Sequence, residues 1–151
     1  MKAIRVYEYG SPEVLRLEEI ADPVAGEGEV LIDVAGAGVN PIDWKILSGV
    51  KKAFILLPLP FTPGVEVAGT VVATGTGVTE FNVGDEVFGF INIVGGYATK
   101  ALASVSKLAK IRRSKKVWEG MLAASWSSIQ RNNLLSRNPP EDQASAGMIV
   151  M

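Results

Sequence analysis

Residues 65–90 read VEVAGTVVATGTGVTEFNVGDEVFGF, and this stretch decides the fold class. Val65 to Thr74 is rich in β-branched residues, Gly75 to Gly77 supplies a turn, and Val78 to Val83 resumes a strand-like run. Gly84 and Asp85 then make a tight corner before Glu86 to Phe90, another short strand. The same grammar extends in both directions. Upstream, Lys2 to Tyr9 and Val14 to Ile20 flank a Gly10-Ser11-Pro12 turn and form a hairpin. In Glu29 to Val39, residues Val30, Ile32 and Val34 fall on one face at period two. Downstream, Gly96 to Ser104 completes a series of short strands separated by turn signals. The pattern predicts a mainly β, partly open barrel. One helix interrupts it: Pro41 suits a first helical position, and Ile42 to Leu47 fits one or two turns ending near Gly49.

The 151-residue chain is one domain's worth by length and can bury roughly two-thirds of its unfolded surface. It has no Cys and no His, which removes disulfides, thiolate catalysis, the commonest zinc ligands and the usual neutral-pH base. Asp, Glu, Lys, Tyr and backbone groups remain, so a metal site is not expected. Met1 to Val6 lacks the basic-then-apolar pattern of a secretory signal, making cytoplasm the default location. The longest apolar stretch, Phe54 to Phe61, is broken by Pro58 and Pro60, so no membrane span is expected.

Charge divides the chain. Residues 1–106 carry 7 Lys/Arg against 13 Asp/Glu, and residues 107–151 carry 8 against 3. The sequence style changes at the same place, which sets a boundary: a domain over residues 1–111 and an atypical tail over 112–151. In the tail, Arg112 to Lys116 is a basic cluster, Val117 to Ile129 is weakly helical, and Asn132 to Ser145 is polar and turn-rich, hence helical at most or disordered. Four cations in five residues are a thin basis for nucleic-acid binding, since such clusters are usually solvated. No nucleic-acid partner is expected.

Six landmarks appear in order: Gly10, Glu13, Val14 and Leu15; Gly28 to Leu31; AGAGVNPIDWK from Ala35 to Lys45; PFTPGVEVAGTV from Pro60 to Val71; VGDEVFG from Val83 to Gly89; and GGYA from Gly95 to Ala98. Together they resemble the N-terminal GroES-like domain of zinc-independent medium-chain dehydrogenase/reductases, the quinone oxidoreductase and enone reductase branch. The resemblance covers about 110 of the 151 residues. Zinc-dependent alcohol dehydrogenases of the same superfamily have a Cys where this chain has Asn40 and a His where it has Val65. Their four-Cys lobe is also absent, because only Ile91 to Val94 separate the 86–90 strand from Gly95.

The resemblance implies an NADPH-dependent, zinc-free reduction of quinones or α,β-unsaturated carbonyls, with hydride from nicotinamide and an oligomer compatible with the family. It places Asn40 to Lys45 at a cleft beside the cofactor. On that reading Asn40 hydrogen-bonds the carboxamide or a water, and Asp43 fixes the local backbone or a ribose hydroxyl. Lys45 stabilises an enolate, and Trp44 forms an apolar wall. Each residue also has a plainer role: Asn40 as helix cap, Asp43 as a first-turn carboxylate facing the helix dipole, Lys45 as a solvated side chain, Trp44 as packing. Lys51 stands where many relatives have a Tyr that donates a proton, and it enters the substrate-binding set with Tyr97. A strand tyrosine is otherwise a core residue. Glu66, beside the lost metal position, reads as structural.

Gly75 and Gly77 lack the third glycine opening a helix that a phosphate-binding fingerprint needs, and read as a hairpin turn. After Ile111 the family's Pro/Gly turn, acidic helix and dinucleotide fold do not follow, so residues 112–151 read as a truncated or frame-shifted continuation. By itself the chain is expected to bind no NADPH and to be inactive. The alternative reading is a non-enzymatic GroES-like binding module, in which Gly49 to Pro58 serves as a contact loop.

Overall fold

The computed structural model describes residues 1–111 and 148–150. Strand β1 (Lys2–Val6) pairs antiparallel with β2 (Leu15–Glu19), with Ile4 opposite Leu17. The remaining strands are β3 (Glu29–Gly38), β4 (Glu66–Thr74), β5 (Glu86–Phe90), β6 (Lys100–Ser104), β7 (Leu108–Lys110) and β8 (Met148–Val150). They form one antiparallel sheet in the order β6-β3-β4-β5-β7, with β8 beside the Gly36 to Gly38 end of β3. Isolated bridges Ala3 to Ala98 and Val6 to Phe61 tie the hairpin to this sheet. The result is the mainly β, incompletely closed architecture expected from the strand pattern.

Strand β3 is buried over most of its length and paired along both edges. Val30, Ile32 and Val34 are buried while Asp33 is exposed, and both edges of the strand are paired. Register shifts against β4 at Leu31/Ile32 and Val34/Gly36 add the local bend that curls a sheet. Val67 and Val71 from β4, Val87 from β5 and Ala101 and Ala103 from β6 pack against β3 in one core.

One strand expectation is corrected. Residues 78–83 form no strand, so the Gly75 to Gly77 turn opens a longer loop into β5 rather than a hairpin. Phe81 is the physical reason: its side chain is buried in the main core, and Val78 packs on the same cluster, which pulls this segment inward out of extended pairing. The loop closes on itself where the Asn82 amide donates to Asp85 Oδ2 at 2.8 Å and the Asp85 amide donates to the Asn82 carbonyl at 3.1 Å. Gly75 is needed for proximity, not for phosphate: a Cβ there would collide with the Gly26 carbonyl. The strand expected over 96–104 is shorter, beginning at Lys100.

The weakly helical segment, the polar segment and the basic cluster read in 112–147 lie outside the described residues. Within that tail, Met148–Val150 is a strand antiparallel to β3.

Candidate functional site

Helix α1 (Pro41–Leu47) carries most of the candidate residues. Seven residues make a helix too short to persist alone in water, so tertiary anchoring must hold it. Ile46 and Leu47 supply that anchoring, buried with Val6 and Phe61 in a second apolar cluster. Burial of two such side chains contributes on the order of 3–6 kcal/mol. The other anchor is polar. Asp43 Oδ2 accepts the Asn40 amide hydrogen at 2.7 Å, and the Asp43 amide donates to the Asn40 carbonyl at 3.0 Å, which closes the first turn reciprocally.

Asp43 is also the point where the helix meets the sheet. The Tyr97 hydroxyl donates to Asp43 Oδ2 at 2.9 Å inside the protein, and both residues are 6 % exposed. Burial lifts the Asp43 carboxyl above the usual carboxylate range, partly offset by the Asn40 amide, the Tyr97 hydroxyl and the Gly64 amide. Burial also pushes the Tyr97 phenol far up, and the Asp43 charge adds to it. Tyr97 is therefore a donor at every physiological pH. Gly64 makes room for this pair, because at φ +93° a Cβ would stand 2.8 Å from the Tyr97 nitrogen.

The remaining candidates face outward or sit at the edge. Asn40 occupies the helix N-cap position, but its side chain turns to the sheet, where Nδ2 donates to Oε2 of the fully buried Glu66 at 3.3 Å. Trp44 is 57 % exposed, and Lys45 is half-buried with its ammonium 5.7 Å from the Trp44 ring centroid. Lys51 is joined to Lys45 through the backbone, its amide donating to the Lys45 carbonyl at 3.4 Å, while its ammonium lies 5.9 Å from the Phe54 ring.

Two groups thus emerge. Asn40, Asp43 and Tyr97, with Glu66, form a connected internal network, whereas Trp44, Lys45 and Lys51 form an outward cationic and aromatic edge. The side chains of 40–45 are not sealed within the sheet, since the helix shows one face to each side. Sequence reasoning read Glu66 as a strand brace and did not join it to Asn40. It also did not join Tyr97 to Asp43, because 54 residues separate them and nothing local signals the contact. Phe54 and Leu56, 86 % and 75 % exposed, add apolar surface after Lys51 that was read only as a candidate contact loop.

Among the described residues no group of three or more Asp/Glu/His/Cys is positioned to hold a metal ion. The first turn of α1 is closed by the Asp43 carboxylate, which would repel an incoming phosphate there.

Comparison with known proteins agrees with this architecture. Residues 26–113 match the alcohol dehydrogenase GroES-like domain. Quinone oxidoreductase of Sus scrofa is 47 % identical over 105 residues, covering 69 % of this chain and 31 % of the relative. The Homo sapiens quinone oxidoreductase is 45 % identical over 112 residues, covering 74 % and 33 %. Among solved structures, the Escherichia coli quinone oxidoreductase complexed with NADPH superposes with a TM-score of 0.78 at 27 % identity, covering 91 % of this chain and 41 % of that one. The chain spans about a third of the length of the curated relatives it matches. With a matched domain covering more than half its length, a sheet of the same architecture and quinone oxidoreductases as its relatives, this chain belongs to the alcohol dehydrogenase GroES-like domain family.

Proposed function

We propose that the chain supplies the substrate-facing part of an NADPH-dependent, zinc-free reductase of quinones or α,β-unsaturated carbonyls, and that by itself it neither holds NADPH nor turns over. The observation that carries this reading is the split character of α1: anchored inward by Asp43, Ile46 and Leu47, it presents Trp44 and Lys45 on its open side. Zinc independence is supported by Asn40 and Val65 standing where zinc-dependent relatives have ligands, in a chain with no Cys or His.

Reduction of a conjugated carbonyl builds negative charge on its oxygen. Lys45 is the cation we assign to that oxygen, with the Trp44 ring limiting water access and Lys51 as a second cation and proton source at the edge. Asn40 holds the carboxamide end of the nicotinamide or a water through its amide. Asp43 and Tyr97 act from beneath, keeping the turn that carries Asn40 and Lys45 in place. The nicotinamide cofactor supplies hydride when bound, and its phosphates need residues outside those described. The small-molecule substrate, a cytoplasmic location and an oligomer belong to the same proposal.

Titration of NADPH fluorescence tests it. The 151-residue chain should show no saturable binding below millimolar concentration, and a longer sequence that adds a dinucleotide fold should bind. Micromolar binding by the chain alone would refute the division of labour. In the longer form, Lys45→Ala should lower kcat by about 10²-fold or more with a stability change under about 0.5 kcal/mol, as for loss of one charge-stabilising donor. An unchanged rate removes Lys45 from the reaction.

A further inference from the structure

Away from α1, a cavity of about 370 Å³ opens between β1, the 57–62 segment and the start of β6, and no residue from 40 to 45 lines it. Its volume lies in the range of small-molecule pockets. Leu57, Phe61 and Val94 give it apolar walls, and Arg5 and Lys100 bring charge to it.

The two cations differ in their partners. Lys100 pairs with Asp22, which also accepts the N-terminal ammonium at 2.8 Å, and Asp33 stands opposite Lys100 across β3 and β6. Arg5 has no carboxylate within 4.0 Å among the described residues. Its guanidinium meets neutral oxygens, donating to Thr62 Oγ1 at 3.3 Å and the Pro60 carbonyl at 3.0 Å and lying beside the Tyr7 hydroxyl, and its buried Nε has no hydrogen-bond partner. Arg16 sits directly opposite it on β2, which adds a like charge instead of relieving one. Glu18, the acid on the same strand, receives the Tyr7 hydroxyl. A half-buried guanidinium with no carboxylate in direct contact and an unused donor beside apolar walls is a receptor for an anion with an apolar body.

We propose that this cavity binds a small apolar carboxylate, its head on the Arg5 guanidinium and its body against Leu57, Phe61 and Val94. Because Asp22 and Asp33 offset Lys100 and the terminal ammonium, and Glu18 stands two positions from Arg16 on the same face of β2, one positive charge, that of Arg5, is left to match, which favours a monoanion over a dianion.

The test is a titration of the full 151-residue chain with benzoate, benzyl alcohol and phenyl phosphate, followed by ¹H–¹⁵N NMR. Benzoate should give saturable shifts at the amides of Arg5, Thr62, Val94 and Lys100, and should bind at least about tenfold more tightly than benzyl alcohol, which has the ring without the charge. Arg5→Met should erase that preference. Arg5→Lys keeps a charge while losing the fork, guards against a folding defect in the first variant, and should give an intermediate preference. Equal affinity for the charged and neutral probes, shifts confined to residues 40–45, or an Arg5→Lys protein identical to wild type would each overturn the proposal. Tighter binding of phenyl phosphate than of benzoate would overturn the choice of a monoanion.

Discussion

Replacing Tyr97 with Phe removes one oxygen from the interior and leaves the ring in place. The hydroxyl donates to Asp43 Oδ2 at 2.9 Å, with both residues buried, so water cannot replace it without opening the structure. Hydrogen bonds to charged groups contribute about 1.5–3 kcal/mol, and Asp43 keeps its 2.7 Å bond from the Asn40 amide, so the expected loss is about 2 kcal/mol. For a domain of this size that corresponds to a fall in Tm of roughly 8 °C. Urea unfolding followed by circular dichroism measures the difference, and a cycle with Asp43→Ala isolates the pair. The coupling should be about 2 kcal/mol, because each single change already removes the same bond. A Tyr97→Phe protein within about 0.5 kcal/mol of wild type, or additive single variants, would refute the view that this bond joins helix to sheet.

Other perturbations bear on the same network. Asp43 has a folded-state pKa above its unfolded value, so the folded protein holds the carboxyl proton more tightly than the unfolded chain does; the contribution is complete below the unfolded pKa and is lost as pH rises through the raised one. The stability of wild type relative to Asp43→Asn should therefore decline from about pH 3.5 upward, and a difference that grows with pH in urea titrations would contradict the sign. Gly64→Ala must place a Cβ 2.8 Å from the Tyr97 nitrogen at φ +93°, which should cost about 2–4 kcal/mol by denaturant unfolding. Phe81→Ala removes a core side chain that pins the 75–85 loop and should cost about 3–4 kcal/mol, whereas Val83→Ala, at a 65 % exposed site, should change stability by less than about 0.5 kcal/mol.

What the sequence made legible follows from how local each signal is. Alternation in β3, the β-branched run of β4 and the Pro41 start of α1 depend on neighbours within a few residues, and these elements fall where the pattern puts them. The 78–83 segment shows the limit. Its composition suits a strand, but Phe81 is drawn into the core, and tertiary packing overrides propensity. The candidate site divides the same way. That Asp43 belongs in the first turn of α1 was readable from its spacing to Asn40 and Pro41. Its second bond, to Tyr97, depends on Pro63 to Val65 carrying the chain back beside 95–97, where the Gly96 amide meets the Gly64 carbonyl at 3.0 Å. No local pattern encodes that approach.

On the proposed function, the division of α1 into a fixed face and an open face makes the placement of Trp44 and Lys45 depend on residues buried beneath them. A seven-residue helix has too few internal hydrogen bonds to set its own position, so the direction of Trp44 and Lys45 is inherited from whatever holds Asp43, Ile46 and Leu47. Those holds come from the β1 side through Val6, from the 60–64 segment through Phe61 and from the 95–98 segment through Tyr97. Three parts of the chain distant in sequence thus converge on one short helix. Loosening any of them displaces the outward edge while leaving its residues chemically intact. Changes at Val6, Phe61 or Tyr97 should therefore move the indole N–H resonance of Trp44, whereas Val83→Ala, at a 65 % exposed site on another loop, should leave that resonance where it was.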